Sequence, residues 1–230
     1  MAKKEHVREM FDGIASKYDQ LNHLLSLGID RGWRRKSLRQ LEPALGKVLL
    51  DVACGTGDFS IGALRQGVRR VVGVDISENM LAVARKKAMA LGLENELDFQ
   101  PGDGENLCFP DDSFDAVTVA FGARNFEHLE KGLSEMCRVV KPGGKVLVLE
   151  FSMPRRFPMR QLYRFYFKHI LPRVGGHISG DRQAYEYLPE SVFAFPQGEA
   201  FIQIMHSCGF RNVLQKRFTF GIATLYVGEK

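Results

Sequence analysis

From Lys47 onward the chain alternates short apolar runs with stretches in which apolar side chains recur every three or four positions. The runs Lys47–Ala53, Arg70–Asp75, Leu97–Gln100, Phe114–Phe121 and Lys145–Phe151 predict strands, and Asp58–Gln66, Ser77–Leu91 and His128–Val140 predict helices between them. Ser77 stands where an N-cap belongs, ahead of the stripe Met80, Leu81, Ala84 and Ala88. Lys141-Pro142-Gly143-Gly144 predicts a helix stop and a turn. Such βαβαβ alternation implies an α/β fold, with a parallel sheet covered by helices on both faces. The end of the chain differs: Asn212–Thr219 and Ile222–Gly228 flank Phe220-Gly221 and predict an antiparallel pair that closes the sheet.

Two segments lie outside this core. Residues 1–45 carry Phe11, Ile14, Tyr18, Leu21, Leu24 and Leu25 at helical spacing and read as a helical cover. Residues 152–196 are rich in aromatic and basic side chains and read as a substrate lid. The expected organisation is one domain: the cover, a cofactor-binding core over 46–151, the lid, and a closing helix and strands over 197–230.

The 230 residues suffice for a single full core. No apolar run approaches membrane-spanning length and the first ten residues lack a signal-peptide core, so the expectation is a cytoplasmic protein. Cys54, Cys108, Cys137 and Cys208 are scattered and read as separate thiols; no C-x-x-C or H-x-x-x-H pair suggests a metal. A net charge of +5 suits an anionic surface but is too mild to argue for nucleic acid.

"LLDVACGTGD" (Leu49–Asp58) is a strand, a glycine turn and a helix start. Gly55 and Gly57 allow a sharp turn and close approach of a ligand to the amides, although a tight turn with no ligand reads the same way. Asp75 ends the next strand about twenty positions on, where a carboxylate accepts from a ribose diol. A dinucleotide fingerprint wants a third glycine, and Ser60 stands there instead. Asp51, just before the turn, is a poor neighbour for a pyrophosphate and a good one for an ammonium or sulfonium group. The combination points to S-adenosylmethionine as co-substrate, with no metal. Asp103, in "PGDGENL", is placed to accept from the adenine amino group, or is a plain turn residue.

The stretches "FDGIASKYDQLNHLLSLGIDRGWRR", "LDVACGTGD", "GVDISENML", "FDAVTVAFGARNFEHLEKGLSEMCRVVKPGGKVLVLEF" and "YEYLPESVFAFP" together resemble the ubiquinone/menaquinone biosynthesis C-methyltransferases over nearly the whole chain. The glycine loop is common to class I methyltransferases, whereas "YDQLN" and "FGARN" are specific to this family. The resemblance implies a Rossmann-like class I methyltransferase fold and methyl transfer to a ring carbon of a prenylated quinol. Overall likeness leans to the menaquinone branch, and so to demethylmenaquinol as substrate. The family's cofactor positions fall on Thr56, Asp75, Asp103 and Gly104. One departure is Ala120, where some members carry a serine.

Carbon methylation needs a nucleophilic carbon, and loss of a phenolic proton pushes electron density onto the adjacent ring position. Arg124, just past the fourth strand, cannot be the base, but it can stabilise a phenolate or hold a water that takes the proton. Asn125 can fix that oxygen or water. Tyr18, Asp19 and Asn22 of "YDQLN" are expected over the site, with Asp19 or a held water as first proton acceptor. Plainer readings stand beside these: Arg124 as a surface ion pair with Glu127 or Glu130, Tyr18 as core, His128 as a helix-start residue.

The stretch Pro154–Arg173 sets Phe157, Leu162, Tyr163, Phe165, Tyr166, Phe167, Ile170 and Leu171 among Arg155, Arg156, Arg160, Arg164, Lys168 and Arg173. It reads either as a basic-aromatic helix at the inner face of an anionic membrane or as an ordinary lid helix. "YEYLPESVFAFP" (Tyr185–Pro196) is expected as a loop over the ring pocket, punctuated by Pro189 and Pro196. A homodimer is left open. Three rival functions are a nucleic-acid methyltransferase, a nicotinamide dehydrogenase and a non-catalytic S-adenosylmethionine-binding accessory protein. The absent proline-aromatic motif argues against the first, Ser60 and the antiparallel close against the second, and intact Arg124 and Asn125 against the third.

Overall fold

The structure is a computed structural model and describes residues 3–41, 43–44, 46–170 and 182–230. Its centre is a seven-stranded sheet. In chain order the strands are β1 (Val48–Val52), β2 (Arg70–Asp75), β3 (Leu97–Pro101), β4 (Phe114–Ala120), β5 (Val140–Phe151), β6 (Arg211–Phe218) and β7 (Ala223–Glu229). Their spatial order is β3-β2-β1-β4-β5-β7-β6, and β1 to β5 pair in parallel. β7 runs antiparallel to both β5 and β6, as its pattern predicts. The helices are α1 (Lys3–Ile14), α2 (Tyr18–Leu25), α3 (Ile29–Leu38), α4 (Asp58–Leu64), α5 (Glu78–Ala90), α6 (Leu129–Val139), α7 (Met159–Phe165), α8 (Arg182–Ala194) and α9 (Glu199–Ser207).

The apolar runs are continuous because both sheet faces are covered. Leu49, Val71, Ala116 and Leu147 pack into one core, and their neighbours Leu50, Val72, Val117 and Val146 into the other. The Ser77 side chain accepts from the Met80 amide at 3.1 Å, and Met80, Leu81, Ala84 and Ala88 are the buried stripe of α5. A third cluster joins Met10, Ile14 and Ala15 to Met80, Tyr163, Phe167 and Val192, which fastens α1, α7 and α8 over the sheet's carboxyl edge.

Four expectations change. Lys141 to Gly144 does end α6, but it runs on as the first part of β5, with a register shift against β4 between Phe114 and Ala116. Gly143, at φ +73, takes the kink, and pairing of Gly143 and Gly144 with Lys230 keeps the segment extended. The N-terminal stripe divides into α1 and α2, separated at residues 15–17; the side chains of Leu21, Leu24 and Leu25 lie outside the description. The basic-aromatic segment is helical only over Met159–Phe165, followed by one π turn, Tyr166–Ile170. Tyr163 and Phe167 there are core residues, and Leu171 and Arg173 lie outside the described residues. Finally, most of the expected loop at 185–196 is α8, with Pro189 inside it. Buried Ser191, Val192 and Phe195 hold that helix against the domain and outweigh the proline's poor helix propensity.

Candidate active site

The strand order reverses between β1 and β4, and an open α/β sheet binds ligands at the carboxyl ends around such a point. Here β1 runs into the turn Ala53 to Gly57. Gly57 has φ +79, and a Cβ there would lie 2.7 Å from the Phe99 ring, so glycine is required. The half-buried Asp75 accepts the Gly55 amide at 2.8 Å and the Ser77 amide at 2.9 Å. Burial pushes its carboxyl above the usual carboxylate range, against the pull of those amides. Asp103 accepts the Glu105 amide at 2.9 Å and pairs with Lys4 of α1 at 2.6 Å. A Cβ on Gly104 would meet Val52 at 2.7 Å and Phe126 at 3.0 Å. Gly55, Asp75, Asp103, Gly104, Ala120 and Asn125 line one cavity of about 70 Å³, over which α1 lays Lys4, Val7 and Phe11.

Asp51, Thr56, Gly57 and Asp19 are not on that wall. Asp51 is 1% exposed and lies beneath the turn, accepting from Ser60 Oγ at 2.5 Å and Thr118 Oγ1 at 2.8 Å. Burial raises its pKa to about 6, although both hydroxyls favour the charged form. Ser60, in place of a third glycine, thus serves Asp51. Asp19 reaches the glycine turn and not Arg124 or Asn125: it accepts from Thr56 Oγ1 at 2.5 Å and pairs with Lys87 at 2.8 Å.

A second, larger cavity of about 310 Å³ adjoins the first. Phe11, Tyr18 and Phe121 line both. Its walls are mainly apolar. Trp33, Phe121 and Phe151 pack together, with Phe121 and Phe151 ring centres 4.4 Å apart, and Tyr163, Phe167, Tyr187 and Leu188 come from α7, its π turn and α8. Asn22 lines this cavity and hydrogen-bonds half-buried Tyr18, whose phenol is raised mainly by burial, with the Arg124 charge opposing.

The pair after β4 divides between the cavities: Arg124 lines the apolar one and Asn125 the other. Tyr187 OH donates to Asn125 Oδ1 at 3.3 Å across the junction. Phe121 at φ +60 and Ala53 at φ +50 hold left-handed backbone just past β4 and β1, so strain gathers where the two cavities meet. The plainer alternative, a surface ion pair with Glu127 or Glu130, does not form: Arg124 is 6% exposed and pairs with Glu150 of β5, 1% exposed, at 3.2 Å. Nη1 also donates to the Phe121 carbonyl, and the guanidinium carbon lies 5.5 Å from the centre of the Phe151 ring. Glu150 accepts the Arg124 and Phe151 amides at 3.1 Å each; burial raises its pKa while Arg124 opposes the rise. His128 is a helix-start residue, with its amide and that of Glu127 held by buried Glu105 at 3.1 and 2.8 Å.

The donor set fits an adenosyl amino acid better than a phosphate ligand. The first cavity offers Asp75, Asp103 and Glu105 with a glycine cradle, and the one cation among its described lining residues, Lys4, is already bound to Asp103. Residues missed in the sequence are Glu150, Lys4, Trp33 and Tyr187. Glu150 had a signal, an acid inside the apolar run "VLVLEF" near the carboxyl end of a predicted strand. Tyr187 had the stretch "YEYLPESVFAFP", expected over the ring pocket, and Lys4 and Trp33 had no signal of their own.

The model of the ubiE/COQ5 methyltransferase family matches residues 1–230. A Bacteroides fragilis protein named demethylmenaquinone methyltransferase is 50% identical, over 99% of this chain and 94% of its own. One from Geobacter sulfurreducens, named ubiquinone/menaquinone biosynthesis C-methyltransferase UbiE, is 47% identical, over 99% and 90%. Among solved structures, an S-adenosylmethionine-dependent methyltransferase from Thermotoga maritima superposes with TM-score 0.67 at 19% identity, over 97% of this chain and 99% of that one. That likeness carries the class I methyltransferase fold alone.

Proposed function

The chain belongs to the ubiE/COQ5 methyltransferase family, and from that premise we propose that its two joined cavities hold S-adenosylmethionine and the ring of a prenylated naphthoquinol. The protein is an S-adenosylmethionine-dependent methyltransferase of menaquinone biosynthesis. The reaction is methylation of a ring carbon of demethylmenaquinol to form menaquinol. The observation that carries the site assignment is the shared wall of Phe11, Tyr18 and Phe121 between a carboxylate-lined cavity and an apolar one.

When bound, the sulfonium supplies an already activated methyl group. The protein's part is to orient, to exclude water and to favour the phenolate. Asp75 accepts from the ribose hydroxyls. Asp103 accepts from the adenine amino group once Lys4 gives way. Asp51, beneath the turn, contributes a buried negative charge toward the cationic end. On the other side Arg124 stabilises the phenolate oxygen next to the acceptor carbon. The phenolic proton leaves first. The ring carbon then takes the methyl group and gives up its own hydrogen as a proton, the hydroxyl re-forms, and one proton is released overall. Asp19 is engaged by Thr56 and Lys87, so a water held by Arg124 and Asn125 is the first acceptor in this reading.

The same reading takes the protein to the inner face of the cytoplasmic membrane, where a long-tailed quinol resides. No helix among the described residues is long and apolar enough to cross a membrane. Support for a peripheral contact comes from exposed Leu27, Phe157, Leu162 and Phe165, of which Leu27 and Leu162 also line the apolar cavity, and from Arg155, Arg160 and Arg164 around a neighbouring concavity. Incubation with labelled S-adenosylmethionine and short-tail reduced demethylmenaquinone should yield a carbon-bound methyl by mass spectrometry. A labelled oxygen, or no label, removes the reading.

A further inference from the structure

Three buried side-chain polar atoms lack a hydrogen-bond partner among the described residues: Arg34 Nε, Arg124 Nε and Tyr163 OH. All three residues line the apolar cavity. A buried unpaired polar group is costly, and cores rarely keep one without a function for it. Three on residues that line one apolar space point to a ligand with more than one oxygen.

The three differ in how far they are already committed. Arg34 is held from below, by Asp58 at 2.7 Å and Asp30 at 3.6 Å, with its guanidinium over Phe121. Arg124 is pinned through Nη1 to Glu150 and the Phe121 carbonyl, beside the junction with the cofactor cavity. Tyr163 belongs to the cover: it projects from α7, is 6% exposed, has its ring centre 4.3 Å from that of Phe167, and does not line the cofactor cavity. The oxygens of a 1,4-quinol point in opposite directions from the ring. With one of them at Arg124 by the junction, the other faces the cover.

We propose that the Tyr163 hydroxyl donates a hydrogen bond to the quinol oxygen remote from the methylated carbon, so that the cavity recognises the substrate as a para-diol. This rests on the reading of the apolar cavity as the quinol site. Burial holds the Tyr163 phenol well above its ordinary range, so it remains a neutral donor across the working pH range. Arg124 and Tyr163 then fix the ring at both ends, which sets the angle at which the acceptor carbon meets the methyl group.

The test compares wild type with Tyr163→Phe on two short-tail substrates. One is the reduced 1,4-naphthoquinol. The other is the naphthol that keeps only the hydroxyl next to the acceptor carbon. The loss of one neutral hydrogen bond should lower kcat/KM for the diol about tenfold, through KM, and leave the naphthol unchanged. S-Adenosylmethionine affinity should not move. Without quinol the variant should melt no lower than wild type, since it removes an unpaired hydroxyl and leaves the ring. Equal loss on both substrates, or none on the diol, would overturn the proposal. Equilibrium titration of each compound separates it from the methyl-transfer reading. If wild type methylates neither compound while Tyr163→Phe weakens binding of the diol alone, the diol contact stands and the assigned reaction falls.

Discussion

The two cavities that meet at Phe121 are built in different ways. The carboxylate-lined side takes most of its polar groups from the loops that follow successive parallel strands: Gly55 after β1, Asp75 at the end of β2, Asp103 and Gly104 after β3, and Asn125 after β4. Its acids are satisfied by nearby amides and by Lys4. The apolar side takes its walls from α1, α2, α3, α7, α8 and the end of β5, and among the described residues it keeps three buried polar atoms unpaired. The first is a motif site assembled along one sheet edge. The second is a covering site, assembled by helices that pack across that edge.

The largest expected effect separates turnover from affinity. Arg124→Ala should lower turnover by two to three decades, the worth of an electrostatic contact of about 3–4 kcal/mol made mainly in the transition state, with little change in S-adenosylmethionine affinity. It also strands Glu150, so stability should fall by about 3–5 kcal/mol. The double variant Arg124→Met with Glu150→Gln should regain much of that stability and none of the turnover. Denaturation curves beside a turnover assay check both halves, and wild-type turnover in either variant would return Arg124 to a structural role.

Next comes the buried acid beneath the turn. A folded-state pKa raised from 3.8 to about 6 means that the folded protein holds this proton more tightly than the unfolded chain does. Its contribution is therefore fully present below about pH 4 and is lost as pH rises through about 6, a change of about 3 kcal/mol. Asp51→Asn should lose that slope and so gain on wild type between pH 4 and 7. Parallel curves from urea denaturation across this range would show that Asp51 is ionised at no such cost.

Asp75→Ala sharpens the cofactor arm. Removing a charged acceptor should weaken S-adenosylmethionine binding by roughly 1.5–3 kcal/mol, and calorimetry should show it while KM for the quinol stays level. Unchanged affinity in a folded variant takes Asp75 out of the site. The effect that is smallest per residue concerns the surface beside the apolar cavity. Replacing Arg155, Arg160 and Arg164 with Gln should weaken binding to anionic vesicles by about 1 kcal/mol per residue and lower activity on long-tail quinol only. Equal loss on a short-tail quinol would mark the segment as a lid.

The difference between the cavities also decided how much of each was legible in the sequence. The strands, the Ser77 cap, the antiparallel close and the acids at Asp75 and Asp103 follow from periodicity and from positions just past strand ends, which a parallel sheet brings to one edge. The substrate wall was not legible in that way. Residues 185–196 looked like a loop because Pro189 disfavours a helix, yet burial of Ser191, Val192 and Phe195 folds 182–194 as one. Tyr163 reads as part of a basic-aromatic stripe, yet it is core and lines the apolar cavity. Nothing local pairs Glu150 with Arg124, because 26 residues separate them and only the adjacency of β4 and β5 brings them together.

The sequence by itself determined the doubly wound sheet, the glycine turn and the kinship with quinone methyltransferases. Local periods of two and 3.6 residues and short strand-to-loop distances carry that information. Tertiary structure alone decided that Asp51 lies buried beneath the glycine turn, that Asp19 serves that turn, and that Arg124 is neutralised by a buried glutamate on the next strand. The reason is physical. A carboxylate's role depends on which donors and how much water surround it, and those neighbours come from segments tens of residues away, brought together by burial of apolar surface.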